Sequence, residues 1–214
     1  MSIEKLITDL AIGDGYIQPG KSTNANACLV VKHSTKQIDY LLEKKHHLEQ
    51  LGMKCSIDTY TDRKGYGICQ LRTKHSHIVT RIRELLYPDG CKTIKNIIEK
   101  FDEESLAWLF QDDGGREHRK WSYYKGTRRE VIPYINAFVL HVCTFSSEDC
   151  QLLQDKLLDM GIEARTRLRK GYHTMIVSKV ESKKRFERIV KPRLHKSMSY
   201  KIDFPVSSQG LLTP

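Results

Sequence analysis

The chain has 214 residues, 39% of them hydrophobic, with 36 Lys and Arg against 26 Asp and Glu, a formal charge of +10 at pH 7. That length accommodates one large domain or two small ones with a sizeable core, and the positive excess favours a polyanionic partner such as nucleic acid. The start is not a signal sequence, no window approaches the roughly eighteen apolar residues of a membrane helix, and the six cysteines, at 28, 55, 69, 91, 143 and 150, form no CxxC pair. The expectation is an intracellular protein without membrane spans, with reduced and mostly buried thiols.

Residues 6–16, Leu-Ile-Thr-Asp-Leu-Ala-Ile-Gly-Asp-Gly-Tyr, read as an apolar helix ending in Asp-Gly. A helix opened by Ser34 closes at Gly52, the next segment, 54–59, reads as a strand, and Gly65-Tyr66 turns the chain into a second strand before a helix over 77–86. Residues 88–104 are expected to connect this half to the next. The pattern then recurs: Leu-Ala-Trp-Leu-Phe-Gln-Asp-Asp-Gly at 106–114, a basic and aromatic stretch between Arg116 and Pro133, a helix opened by Ser146 and closed at Gly161, a strand over 163–168, a turn at Gly171-Tyr172 and a helix over 182–190.

The chain therefore reads as an internal duplication. The expected fold is α+β, with two pseudo-symmetric αββαββα halves, 1–87 and 105–205, and a tail at 206–214. Helices this apolar need a cover, and the simplest cover is each other, with Ala11, Gly13, Ala107 and Gly114 permitting close approach. The strands of each half would form an antiparallel sheet with helices on one face and the other face left open.

Such a pair of helices brings Asp14 and Asp113, 99 residues apart in sequence, to one axis. Both the helix dipoles and mutual repulsion oppose their ionisation, so a cation is expected to offset them. With no clustered His or Cys, a hard oxygen-seeking ion such as Mg²⁺ fits, with Mn²⁺ as a substitute. Asp112 and the carbonyls of Gly13 and Asp112 are further candidate ligands, and Glu117 is another acid nearby. Lys92 and Lys201 follow corresponding elements and could supply positive charge to a phosphorane, with Lys196 as competitor to Lys201. Phosphodiester hydrolysis is the chemistry such a centre suits.

The strand around 164–169 alternates, placing Arg165, Arg167 and Arg169 on one face. In the first half Gln70 and Arg72 share a face, and Ser56, Asp58 and Tyr60 lie on one side of their strand. With Arg116, Lys120, Lys125, Arg128 and Arg129 these are candidate contacts to double-stranded DNA. His118, His141 and His173 have no metal-ligand spacing and are expected in ordinary packing or phosphate contacts.

The two quoted motifs resemble those of the LAGLIDADG homing endonucleases of the single-chain, two-motif kind. Within that family the Asp-Asp-Gly-Gly at 112–115 and the Tyr-Lys-Ile at 200–202 are most similar to the yeast mitochondrial omega-intron endonuclease type. The resemblance implies a saddle-shaped monomer that cuts both strands of a long, asymmetric target to leave short 3′ overhangs, in the service of intron homing. It implies Asp14 and Asp113 as metal ligands, and Lys92 and Lys201 as basic residues of the two centres. Departures are Asp9 and Trp108, where the family carries small interhelical residues. Rival expectations on the same scaffold are an intron-encoded RNA maturase and a non-catalytic DNA-binding regulator.

Overall fold

The structure is a computed structural model that describes residues 1–22 and 25–203, and of 118–125, 128 and 130–136 the backbone alone. The tail expected over 206–214 lies outside the described residues. The first half runs α1 (Ile3–Ile12), β1 (Gly15–Gln18), β2 (Cys28–Ser34), α2 (Ile38–Gln50), β3 (Cys55–Thr61), β4 (Gly67–Thr73) and α3 (His77–Leu86). The second repeats it as α4 (Glu103–Asp113), β5 (Gly114–Lys125), β6 (Arg128–Leu140), α5 (Ser147–Asp159), β7 (Arg165–Arg169), β8 (Tyr172–Val177) and α6 (Val180–Val190). Both sheets are antiparallel and share one strand order, β1-β2-β4-β3 and β5-β6-β8-β7, as a duplicated αββαββα chain requires.

Local chemistry explains most boundaries. The Ser2 hydroxyl accepts the Lys5 N–H to start α1, and reciprocal capping boxes, Asp102 with Ser105 and Ser146 with Asp149, start α4 and α5. Gly52 and Gly161 take φ of +85° and +78° just past α2 and α5, a conformation that side chains resist. Two boundaries differ from the sequence reading. Ser34 caps a single 3₁₀ turn over Thr35–Gln37 before α2 proper begins. Helix α6 starts two residues before Ser182, because the Ser182 hydroxyl accepts the Glu163 N–H and is therefore held inside the helix.

One contiguous core joins the halves. It takes in Leu6, Ile7 and Leu10 of α1, Leu106 and Phe110 of α4, and the inward faces of both sheets. Burial of each such side chain contributes about 1.5–3 kcal/mol. The segment over 88–104 adds Ile94, Ile97, Ile98 and Phe101 to the same core. All six cysteines are free, three of them buried and Cys91 and Cys143 exposed. Among the described residues no helix is long and apolar enough to cross a membrane.

Helices α1 and α4 pack against each other at the centre. At their N-terminal end, Asp9 accepts hydrogen bonds from Ser105 at 2.8 Å and from Lys5 at 2.5 Å, so the acid that departs from the motif serves as a polar bridge between the helices. Trp108 turns away from α1 and stacks on Tyr40 of α2. At the other end the glycines after the aspartates let each chain fold back over its own helix. A Cβ on Gly15 would meet the Leu10 carbonyl oxygen at 2.1 Å, and one on Gly114 would meet the Phe110 oxygen at 2.3 Å. Gly114 was expected to ease contact between helices, but the close approach it allows is to its own helix. Gly114→Ala and Gly15→Ala should each lower stability by ~1–3 kcal/mol or more through steric displacement. Gly115→Ala, whose Cβ would find nothing nearer than 3.6 Å, should stay close to wild type in urea unfolding; equal effects at the three positions would contradict this account.

Candidate catalytic centre

Because α1 and α4 end side by side, their C-terminal carbonyls and the aspartates beyond them share one region. Asp14 follows the end of α1, and Asp113 is the last residue of α4. Burial raises Asp14 to about 6, helped by the charge of Asp112. Burial likewise raises Asp113 to about 7, and the charges of Asp14 and Asp112 push the same way. Carboxylates of one half thus oppose ionisation in the other.

Lys92 and Lys201 occupy matching places around them. The Lys92 ammonium donates to the carbonyls of Gly13 and Gly15, both at 3.1 Å. That of Lys201 donates to Gln111 at 2.6 Å, Asp112 at 3.1 Å and, more weakly, Phe110 at 3.4 Å. Lys201 satisfies carbonyls that the end of α4 leaves open, and Lys92 binds those of Gly13, the residue that closes α1, and of Gly15 in β1. The Gly13 and Asp112 carbonyls proposed from sequence as metal ligands are therefore already taken by ammonium groups. Burial holds both lysines below their usual pKa, against the pull of the three aspartates.

Asp112 is not a free carboxylate either. Its side chain is fully buried, and Oδ1 receives Lys44 at 2.5 Å and the Tyr40 hydroxyl at 2.9 Å. Oδ2 accepts the Asp14 N–H at 3.1 Å. Burial alone would raise Asp112, but Lys44, His33 and these hydrogen bonds outweigh it and hold the carboxyl below the usual range. A Cβ on Gly13 would strike this side chain at 2.5 Å, so Gly13 is the slot that admits it. Asp112 belongs to the second half, whereas Tyr40, Lys44 and His33 belong to the first. The buried ion pair therefore ties the halves together beneath the centre.

His33 completes the cluster. Its Nε2 lies 3.0 Å from the Lys44 ammonium, and its Nδ1 faces Asp14 Oδ2 at 3.4 Å. Burial, then the charge of Lys44, push it down to about 4. Asp14, His33 and Asp112 together offer one ligand atom each within 4.8 Å of one another. Lys44 already contacts two of the three, so a divalent ion there would have to displace an ammonium. Asp14, whose side chain is 37% exposed, is open to an additional ligand, and its raised pKa together with that of Asp113 marks negative charge not yet compensated. The pair therefore fits a hard cation better than the triad does.

Sequence reasoning missed Tyr40, Lys44 and His33. A signal existed: His33 shares the inward phase of β2 with Leu29 and Val31, and Lys44 lies on the buried stripe of α2 with Tyr40, Leu41 and Leu48. Polar residues at core positions of regular elements need partners.

The open face of the first sheet leads directly from this centre. Asp14, Tyr16, Gln18, Val30, Lys32, Gln70 and Arg72 line a shallow cavity of about 330 Å³. Gln70 and Arg72 alternate with buried Cys69, Leu71 and Thr73, and pair across strands with Asp58 and Ser56. In the second half β7 is exposed throughout, Thr166 bonds Gln154 of α5, and Arg167 on the opposite phase meets Glu117 at 3.5 Å. Arg165 and Arg169 share the phase of Arg167. Arg116 does not join them: it pairs across strands with the core residue Phe138, and its guanidinium donates to the Asp203 carbonyl at 2.6 Å. A register shift between Glu117 and His118 follows it, which strict alternation from sequence could not anticipate. Lys120, Lys125 and Arg128 lie on the β5–β6 hairpin with side chains outside the described residues, and Arg129 is exposed near its tip. The backbone N–H of His141 donates to the Asp113 carbonyl, and His173 Nδ1 lies 3.0 Å from the Phe145 carbonyl oxygen.

A duplicated αββαββα chain whose paired helices carry acids at their adjoining ends has the architecture of two-motif LAGLIDADG proteins. The chain belongs to the LAGLIDADG DNA endonuclease family, whose model matches residues 6–186. It is 24% identical over 208 residues to uncharacterized protein MJ1098 of Methanocaldococcus jannaschii, covering 94% of this chain and 73% of that one. Its fold is similar to that of the homing endonuclease I-WcaI bound to its DNA recognition sequence, with a TM-score of 0.71, 20% identity and coverage of 96% and 89% of the two chains. It is also similar to I-DmoI in complex with DNA and Ca, at a TM-score of 0.54, 12% identity and 88% coverage of each chain. The N-terminal LAGLIDADG domain of DUF199/WhiA matches at a TM-score of 0.51 and 13% identity, over 93% of this chain and 88% of that one.

Two predictions follow from the charges. Lys44→Met leaves Asp112 buried without its cation and should cost ~3–5 kcal/mol, whereas adding Asp112→Asn, whose one oxygen can accept the Asp14 N–H while its amide N–H₂ turns to the Tyr40 hydroxyl oxygen, removes the buried charge and should recover most of the loss. Additive losses in that cycle would show that the pair is not coupled. Asp14 and Asp113, raised from 3.8, bind protons in the folded state between about pH 4 and 7 that the unfolded chain has released. Their contribution to stability must therefore fall as pH rises through that window. In chelator, the Asp14→Asn/Asp113→Asn variant should melt above wild type at about pH 7.5, with the gap closing towards about pH 4; a gap independent of pH would contradict the assignment.

Proposed function

We propose that the protein is a site-specific endonuclease that hydrolyses one phosphodiester in each strand of duplex DNA, with Asp14 and Asp113 holding the divalent metal. The observation that carries this reading is the pair of partly exposed carboxylates at the adjoining ends of α1 and α4, one per half, both pushed well above the ordinary aspartate range, with a lysine bound to backbone carbonyls beside each. Mg²⁺, or Mn²⁺ in its place, would supply a water of lowered pKa and stabilise the leaving 3′-oxygen.

The chain's own residues do the rest. Asp14 and Asp113 fix where the cation sits relative to each strand. Lys92 donates to two carbonyls, which leaves one N–H for a phosphate oxygen, while Lys201 has acceptors for all three. Gln70, Arg72 and Asp58 on one sheet and Arg165, Arg167 and Arg169 on the other present mixed donors and acceptors, which suits reading base edges better than a uniform row of lysines would. The two faces differ in composition, so the target is asymmetric. Both centres lie in one chain, so a monomer suffices. In this reading the cuts leave short 3′ overhangs, and the Asp-Asp-Gly-Gly and Tyr200-Lys201-Ile202 steps place the protein nearest the omega-intron type, with intron homing as its biological role.

Selection of cleaved sites from a random duplex library in Mg²⁺ tests the reading. Wild type should enrich one long site. Asp14→Asn and Asp113→Asn should each lose double-strand cleavage of it by about a hundredfold or more while retaining binding. Binding without cleavage by wild type in Mg²⁺ or Mn²⁺ would instead support a DNA-binding regulator, and splicing of a precursor RNA without DNA cleavage a maturase.

A further inference from the structure

The two candidate centres are built on a duplicated frame, yet what lies beneath them differs. Strand register aligns the halves: Gly15 pairs with Val31, and Gly114 with Leu140. Two residues further on stand His33, still within β2, in the first half and Val142, just past the end of β6, in the second. The glycines past α2 and α5, Gly52 and Gly161, align Lys44 with Leu153. The motif helices themselves align Gly13 with Asp112. Val142 and Leu153 are buried apolar residues of the ordinary core. The first half has replaced this apolar floor with His33 and Lys44, and Asp112 reaches across from the second half to join them.

The direction of the hydrogen bonds follows from which groups can donate. A lysine ammonium has donors only, so His33 Nε2, 3.0 Å from Lys44 Nζ, must offer its lone pair. The ring proton then resides on Nδ1, the atom that faces Asp14 Oδ2 at 3.4 Å. Gln37 also interacts with the ring and adds to its support. Asp112 keeps Lys44 in place through Oδ1 and holds the Asp14 backbone through Oδ2. Asp14 is therefore gripped at its N–H and faced at its carboxylate by a proton donor of fixed tautomer. A 3.4 Å separation is long for a hydrogen bond, and such contacts commonly tighten when substrate is bound.

We infer that His33 is a positioning residue for the Asp14 carboxylate, oriented by the Lys44–Asp112 pair, and that it acts on cleavage of one DNA strand only because the Asp113 side has Val142 in the equivalent place. This rests on the endonuclease reading above, in which each aspartate serves one strand. A purely structural role for His33 would slow both strands alike.

Asparagine and glutamine separate the two ring nitrogens. His33→Asn puts an N–H₂ near the Nδ1 position, whereas His33→Gln reaches the Nε2 position and leaves Asp14 without a donor. The experiment uses the full chain and the duplex recovered by selection, with the two strands differently labelled, and follows the nicking of each in Mg²⁺. His33→Gln should slow one strand by about tenfold or more and the other by less than about twofold, the range expected when a ligand's supporting hydrogen bond is removed. His33→Asn should restore most of the lost rate on that strand. Thermal melting of both variants, read alongside, controls for folding. Equal slowing of both strands, no slowing, or an identical strand ratio for Asn and Gln would overturn the inference while leaving the endonuclease reading intact. Failure of wild type to cut any duplex in Mg²⁺ or Mn²⁺ would instead overturn that reading, and the inference with it.

Discussion

Two apolar helices lie side by side with their C-termini at the same place, and nearly everything else about the centre answers to the negative field they create. Each helix end carries roughly half a unit of negative charge, and Asp14, Asp112 and Asp113 add three more. Lys44, Lys92 and Lys201 bring three positive charges into the same volume. About one negative charge is left over, and it adds to burial in pushing Asp14 and Asp113 towards neutrality, while Asp112, held by Lys44, stays ionised. A protein built only for stability has no reason to leave that imbalance where solvent can reach it, and a bound cation removes it.

The helix packing sets the distance between the halves, and the polar contacts set its register. At one end of the interface Lys5, Asp9, Asp102 and Ser105 form a hydrogen-bonded bridge between α1 and α4. At the other, Asp112 fills the slot at Gly13 and pairs with Lys44. Apolar side chains between these points supply most of the stabilisation but tolerate sliding. A buried ion pair is a poor source of stability and a good source of uniqueness, since any shift of one helix along the other leaves a charge unpaired. The position of Asp14 relative to Asp113 is fixed by the same contacts that fix the fold.

The repeat made much of this legible in the sequence. Glycines at 52, 65, 161 and 171 mark turns that take positive φ, and alternation in β4 separates Gln70 and Arg72 from the buried phase. Asp14, Asp113, Lys92 and Lys201 could be found because each appears twice, at matched points of two halves. What occurs once was lost. The cluster beneath Asp14 draws one residue from β2, two from α2 and one from the far half, and no spacing in one dimension encodes that meeting. The helix-end carbonyls looked available because a sequence does not show which ammonium groups will reach them. Arg116 was chosen as a DNA contact by its charge, and a charge does not show that its guanidinium will be held by the Asp203 carbonyl.

The pattern of divergence between the halves carries its own argument. In the proposed endonuclease the phosphodiester would be the same in either strand, so the residues nearest it could stay duplicated: aspartate, following glycine and lysine recur. Bases would differ along a target, which fits sheet faces that differ, with Asp58, Gln70 and Arg72 on one against three arginines and Glu117 on the other. His33 and Lys44 lie between these regimes, below the chemistry and away from the bases. A polar replacement there gains nothing for packing, because Val142 and Leu153 show that the same frame is filled by apolar side chains without difficulty. In the proposed reading its effect is on Asp14, whose backbone N–H Asp112 accepts and whose carboxylate His33 faces.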